Sequence, residues 1–289
     1  DESVTGKLQR LREILASLPS ALVAYSGGVD STLLAFVARE VLEERMKAVI
    51  VDSPLLPPRE LERARRIASS LGLPLEVVQA DELALPGFDR NPPDRCYACK
   101  GFRLGLLRDM ADREGLVVLL EGANLDDAKA HRPGRRAAAE AGALSPLEEA
   151  GMTKADVRAA ARGLGIPNWD APSRPCLATR FPYGMSLQRE FIAAVDAAEA
   201  ELEAAGMREF RVRLDAPGEA RIEVGTEEMA LLDDEGGRYA LVKKLGELGL
   251  RRVKLDLEGF RSGSMDEDRE NRRCRILLEG GGRADDADG

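Results

Sequence analysis

The sequence predicts an α/β fold: a parallel sheet with helices on both faces, followed by a small C-terminal α+β domain. Three observations carry this. Short apolar runs alternate with amphipathic stretches through the N-terminal part of the chain. Those runs end in glycine, serine or acid and are separated by helix-length segments, as parallel strands with crossover connections require. After about residue 187 the pattern changes to an alanine- and glutamate-rich stretch, then two strictly alternating runs close together.

Each element follows from its residues. Residues 4–18 place apolar side chains at helical spacing among charged ones. Ala21–Tyr25 (ALVAY) is short, apolar and ends at glycines, a buried strand. Thr32–Glu44 is a helix with Leu33, Leu34, Phe36, Val37 and Val41 inward. Lys47–Val51 (KAVIV) is a second strand, Pro58–Leu71 a charged amphipathic helix and Leu75–Gln79 (LEVVQ) a third strand. Arg103–Glu114 is helical, Leu116–Leu120 (LVVLL) is a fourth strand, and Thr153 caps a helix to Leu164 that stops at Gly165. Gln188–Ala205 is a helix, and Phe210–Leu214 with Ala220–Val224 alternate as an exposed hairpin would. Thr226–Asp234 and Arg238–Leu248 read as helices and Val253–Leu257 as a last strand. The expected organisation is a nucleotide-type domain over residues 1–187, a small substrate or oligomerisation domain over 188–265, and a disordered, charged tail over 266–289.

Composition narrows the function. The chain has 289 residues and a net charge of −9, which disfavours a general nucleic-acid binder. No apolar run reaches membrane-spanning length, and the polar start DESVTGKLQRLREIL is unlike a signal peptide, so a cytoplasmic enzyme is expected. The single histidine, His131, argues against a Ser-His-Asp triad or a His-rich zinc site. Met207, Met229 and Trp169 read as packing residues. The four cysteines, Cys96, Cys99, Cys176 and Cys274, are too few for a disulfide scaffold.

The stretch AYSGGVDSTLL joins the first strand to its helix. A turn of small residues before a helix N-terminus presents several N–H groups to an anion. Glycines let the backbone approach an oxyanion, and Ser26 and Ser31 add hydroxyls. Asp30 fits beside phosphate when Mg²⁺ mediates; otherwise it is a helix cap. There is no lysine, so this is not the Walker loop. SGGVDS resembles the loop of the PP-loop ATP pyrophosphatases, which release pyrophosphate from ATP and place AMP on a substrate oxygen. The resemblance implies ATP and Mg²⁺ as cofactors and assigns Ser26, Gly27, Gly28, Val29, Asp30 and Ser31 to the β- and γ-phosphates. Asp52 and Ser53, at the end of the second strand, then face adenosine. Gly122, Asn124 and Asp126, beyond the fourth strand, face ATP and its metal.

NPPDRCYACK and RPCLATRFPY hold three of the thiols. On residues alone they admit a zinc site with Cys274 as fourth ligand, a redox pair with thiols made acidic by Arg95 and Lys100, a [4Fe–4S] cluster with one open iron, or inert packing. A wider resemblance bears on the choice. SGGVDSTLLA, VDSPLLPPRELERA, NPPDRCYACK, EGANLDD, RPGRRAA, PCLATRFPYG and EGFRSGSM, in that order over residues 4–265, resemble the LarE family of ATP-dependent sulfur transferases. The family adenylates carboxylates of pyridinium-3,5-biscarboxylic acid mononucleotide and replaces the activated oxygen with sulfur, making the ligand of the nickel-pincer cofactor. One version sacrifices the sulfur of the cysteine matching Cys176; the other binds a [4Fe–4S] cluster on three cysteines. Cys96, Cys99 and Cys176 match the second, with Cys176 and Asp30 as catalytic residues. The resemblance further implies Arg132, Arg135, Arg180 and Arg213 as contacts to the nucleotide substrate, and a homo-oligomer, trimer or hexamer. The rivals are a PP-loop tRNA thiolase, which needs a basic face, and a non-catalytic zinc-stabilised nucleotide-binding module.

Overall fold

A computed structural model describes residues 3–129, 133–232 and 234–261. His131, Arg132, Cys274 and the expected tail lie outside these residues. The described residues fall into two compact units. One holds the chain up to Leu177 with Tyr183–Gln188; the other holds Ala178–Pro182 with the described residues from Arg189 onward.

The first unit contains the parallel sheet. Strands β1 (Ala21–Ala24), β2 (Met46–Asp52), β3 (Leu75–Gln79) and β4 (Val118–Leu120) lie in the order β3-β2-β1-β4, all parallel. Alternate residues serve opposite faces, because side chains on a strand alternate. Ala21, Val23, Ala48, Ile50 and Leu120 join the core beneath α1 (Val4–Ala16), α2 (Val29–Leu42), α3 (Pro58–Ser70) and α8 (Lys154–Gly163). Leu22, Val49, Val51 and Leu119 join Leu104, Leu107 and Met110 of α4 (Arg95–Glu114) and Ala138 of α6 (Pro133–Glu140). Burial on both faces is why these strands read as unbroken apolar runs. Helices α5 (Leu125–Lys129) and α7 (Pro146–Glu149) are short connectors.

The order fixes the ligand edge. The chain moves outward from β1 to β3, then returns to place β4 on the other side of β1. Loops after β1 and β4 therefore diverge at a topological switch point, where open α/β sheets form their crevice. The expected α/β fold holds, with boundary corrections. Helix α2 begins at Val29 rather than Thr32, capped by Gly28 in extended conformation without a side-chain bond, so Asp30 is not the cap. Helix α4 begins at Arg95 rather than Arg103, which puts Cys96 and Cys99 in its first turns. Thr153 caps α8 through a reciprocal capping box with Asp156.

The second unit packs α9 (Arg189–Ala204) and α10 (Glu235–Glu247) with a sheet ordered β5-β6-β7: β5 (Phe210–Ala216), β6 (Glu219–Val224) and β7 (Arg252–Leu255). β5 and β6 are the antiparallel hairpin, and β7 runs parallel to β6. The hairpin is not exposed as its alternation suggested. Phe210 through Leu214 are all buried, including Arg211 and Arg213. Residues Thr226–Leu232 form a 3-10 turn rather than an α-helix, and Met229 is only partly buried.

Candidate active site

The loop after β1 is built by geometry that only glycine accepts at one position. Gly27 has φ +77°, and a Cβ there would stand 2.7 Å from the Cβ of Ala64 on α3. The first N–H groups of α2 have no partner within their own helix, so the loop keeps a set of outward donors. Ser31 Oγ accepts from the Ser26 N–H at 3.1 Å, donates to the Gly28 carbonyl at 3.1 Å, and lies 3.0 Å from Ser26 Oγ. The serines thus shape the loop as well as offering hydroxyls. Thr32 Oγ1 donates to the Gly28 carbonyl at 2.8 Å.

Asp30 lies at the centre of a polar group. Its Oδ1 accepts from Asn124 Nδ2 at 3.0 Å, and its Oδ2 is paired with the ammonium of Lys154 at the start of α8. Asn124 is buried, and its Oδ1 accepts from the Asp126 N–H at 3.0 Å. Asp126 Oδ2 accepts from the Lys154 N–H at 2.9 Å, which ties the loop after β4 to α8. Gly122 has a packing reason of its own: a Cβ there would be 3.0 Å from the Ser31 nitrogen. Asp52 Oδ2 accepts from Gln79 Nε2 at 2.7 Å, and buried Ser53 accepts from Arg103 Nη2 at 2.7 Å.

Arg103 connects this edge to the thiols. Its Nε donates to Glu82 Oε1 at 2.5 Å, and Glu82 is fully buried with its other oxygen unpartnered. Cys99 Sγ lies 3.9 Å from the same Glu82 oxygen. Burial pushes the Cys99 thiol up to about 12; the Arg103 charge opposes this, while Glu82, Cys176 and Cys96 add to it. A raised Cys99 thiol is the opposite of what the low-pKa redox pair requires. Its expected helpers are engaged elsewhere: Arg95 stacks over Tyr183 at 4.3 Å, and Lys100 Nζ donates to Glu121 at 2.6 Å. Cys96 is exposed and Cys176 half-buried. Among the described residues, no three His, Cys, Asp or Glu side chains form a group able to hold a single metal ion.

The candidate arginines separate. Arg135 Nη2 donates to Glu148 at 2.8 Å on the first unit. Arg180 and Arg213 belong to the second. Arg180 makes a bidentate pair with Glu199, at 2.7 and 3.0 Å, and Arg213 donates to Glu223 at 2.5 Å and to the Thr179 carbonyl at 2.9 Å. Arg211 lies buried beside them with its Nε unpartnered. Burial, then the charges of Arg180 and Arg213, lowers its pKa to about 10.

The chain is 38% identical over 254 residues to the pyridinium-3,5-bisthiocarboxylic acid mononucleotide synthase of Lactiplantibacillus plantarum, covering 88% of this chain and 91% of that protein. The chain belongs to the LarE family. A protein of uncharacterised function from Synechocystis sp. is 41% identical over 259 residues, 90% of this chain and 96% of its own. The family model described as NAD synthase matches residues 8–88. A GMP synthase [glutamine-hydrolyzing] of Chlamydia muridarum is 40% identical over 75 residues, 26% of this chain and 15% of that one. The family-model match lies within the first unit, whereas the two long matches span both units. Among the described residues, no helix is long and apolar enough to cross a membrane.

Arg103, Lys154 and Glu82 were not found from sequence as site residues. Each acts on a partner far along the chain, and no local motif announces them.

Proposed function

We propose that this chain adenylates a carboxylate of pyridinium-3,5-biscarboxylic acid mononucleotide at the loop after β1 and exchanges the activated oxygen for sulfur at Cys96, Cys99 and Cys176. The observation that supports it most is Arg103. One guanidinium donates to Ser53 at the carboxyl end of β2 and stands among Glu82, Cys99 and Cys176, so the nucleotide edge and the thiols share a side chain.

In this reading a substrate carboxylate oxygen attacks the α-phosphorus of ATP, and the bond to pyrophosphate breaks. The amides of Gly27, Gly28, Val29 and Ser31, with the Ser26 hydroxyl, take the departing charge. Asp30 would hold Mg²⁺, and Lys154, its partner in this structure, would then be released to face phosphate. Asn124 and Asp126 keep Asp30 and Lys154 in place, Gly122 lets the two loops close on each other, and Asp52 and Ser53 line the adenosine side. The acyl-adenylate must be kept from water, or the adenylation is wasted. On the first unit Arg135 is offered to an anionic group of the substrate; on the second, taken by itself, Arg180 and Arg213 are offered to an anion, with Arg211 added. Arg211 supports this: three buried guanidinium groups face two buried carboxylates in the second unit, an excess suited to an anion.

Cys96, Cys99 and Cys176 are the thiolates that would hold a [4Fe–4S] cluster in this reading. Cys96 and Cys99 lie three residues apart at the start of α4, on one side of the helix. Held by these three thiolates, such a cluster would keep one iron without a protein ligand and would supply sulfide there. Anaerobically prepared protein is expected to be brown with about four irons per chain, and Cys96→Ala, Cys99→Ala or Cys176→Ala to lose them. Full iron and turnover in Cys96→Ala would defeat the cluster reading; one zinc in colourless protein would favour the non-catalytic module.

A further inference from the structure

We infer that Asn168 is a positioning residue for the phosphate loop, holding the Gly27–Gly28 peptide so that its N–H faces the anion. Asn168 lies between the end of α8 and Cys176, in a turn anchored by Ile166 and Trp169 against the core. It is buried, and its Nδ2 donates to the Gly27 carbonyl at 2.8 Å and to Thr32 Oγ1 at 3.2 Å. A carbonyl can only accept, so the amide orientation is fixed by chemistry. Thr32 directs its own hydrogen to the Gly28 carbonyl, so two successive carbonyls of the loop are pinned from the core side.

The consequence lies in the peptide plane. In a trans peptide the C=O and N–H point to opposite sides, and the described chain has no cis bond. With the Gly27 carbonyl held by Asn168, the Gly28 N–H faces away from Asn168. Its partner there, Ser26 Oγ at 3.4 Å, is a long one that an anionic oxygen would outbid. The positive φ of Gly27 makes the arrangement possible, and Asn168 chooses it over the flipped peptide, which would aim a carbonyl oxygen at the phosphates.

A packing role does not account for the residue. Asn168 Oδ1 is buried with no partner among the described residues. A leucine would remove that oxygen, and would also take the donor from the Gly27 carbonyl.

The inference rests on reading the loop as a phosphate grip, and its test uses neither sulfur nor iron. Inorganic pyrophosphate with Mg²⁺, and adenosine, are titrated calorimetrically into the full chain, alongside thermal unfolding. Asn168→Leu is expected to bind pyrophosphate about tenfold to a hundredfold more weakly, the loss of one well-aimed donor to a charged group. Adenosine binding should stay close to that of the original chain, and unfolding, although lowered by the donor lost to the Gly27 carbonyl, should remain cooperative and well above the titration temperature. In Asn168→Asp only the protonated carboxyl can donate to Gly27, so its pyrophosphate deficit relative to the original chain should shrink as pH falls from about 8 to 5.5. Unchanged pyrophosphate affinity in Asn168→Leu, equal losses for pyrophosphate and adenosine, or parallel pH courses for Asn168→Asp and the original chain would each overturn the inference. Failure of the original chain to bind pyrophosphate would remove the phosphate-grip reading with it, whereas sulfur transfer failing while these titrations succeed would leave Asn168 in its role.

Discussion

In the parallel-sheet unit the strands bury alanine, valine, leucine and isoleucine on both faces, and the polar groups collect at the strand ends. In the small mixed-sheet unit the hairpin itself buries charge: Arg211, Arg213 and Glu223 lie within its strands, with Arg180 and Glu199 against them. The first arrangement stabilises the fold by apolar burial and leaves function to loops. The second spends stability, because a buried ion pair recovers its desolvation penalty only when geometry and partners are complete. The difference is that the small unit commits buried charge where the larger unit commits apolar surface, and anion recognition is the use we propose for it.

Variants at three places test this contrast. The largest effect is expected from Glu199→Ala, which leaves the Arg180 guanidinium buried without its bidentate partner and should cost about 3–5 kcal/mol in denaturant unfolding. The double variant Arg180→Met with Glu199→Leu should recover most of that stability while losing substrate affinity. Equal destabilisation by both would mean that the charges hold the unit together. Next is Gly27→Ala in the apolar unit. The left-handed backbone and the 2.7 Å approach to Ala64 act together, for about 2–4 kcal/mol and lost nucleotide binding. A stability within experimental error of the original would show that the loop can move off α3. The smallest is Asp156→Asn. Burial raises the Asp156 pKa, but hydrogen bonds from Lys7 and Thr153 outweigh it and bring the group down to about 2. A lowered carboxylate pKa contributes stability above the ordinary range, lost as pH falls through the folded value. The original should exceed Asp156→Asn by roughly 0.5–1 kcal/mol at neutral pH, with the gap closing toward pH 2; a gap independent of pH would show that the Asp156 charge contributes nothing to it.

Much of the first unit was legible because its physics is local. Apolar runs that end in glycine or acid mark strands entering crossover loops, and β3 falls on Leu75–Gln79 as expected. The start of α4 was not legible. Cysteine, glycine and lysine in CYACKG blur the helical period, and the preceding prolines read as loop, whereas Asp94 is the N-cap. The hairpin misled for a related reason. Alternating arginine and glutamate looks like a solvent face unless distant residues such as Arg180 and Glu199 cover it. In the site, the SGGVDS loop was visible as a motif, but its supports were not. Lys154, Asn168 and Arg103 reach Asp30, Gly27 and Ser53 from 124, 141 and 50 residues away. No sequence window contains both ends.

Counting products per chain separates a renewable sulfur site on three cysteines, as proposed, from a sacrificial one. Anaerobic protein is supplied with MgATP, the biscarboxylic mononucleotide and excess sulfide, and thiocarboxylate product is quantified while the intact chain is weighed by mass spectrometry. The account predicts several products per chain with Cys176 unaltered. At most one product per chain, with Cys176 converted to dehydroalanine, would contradict it.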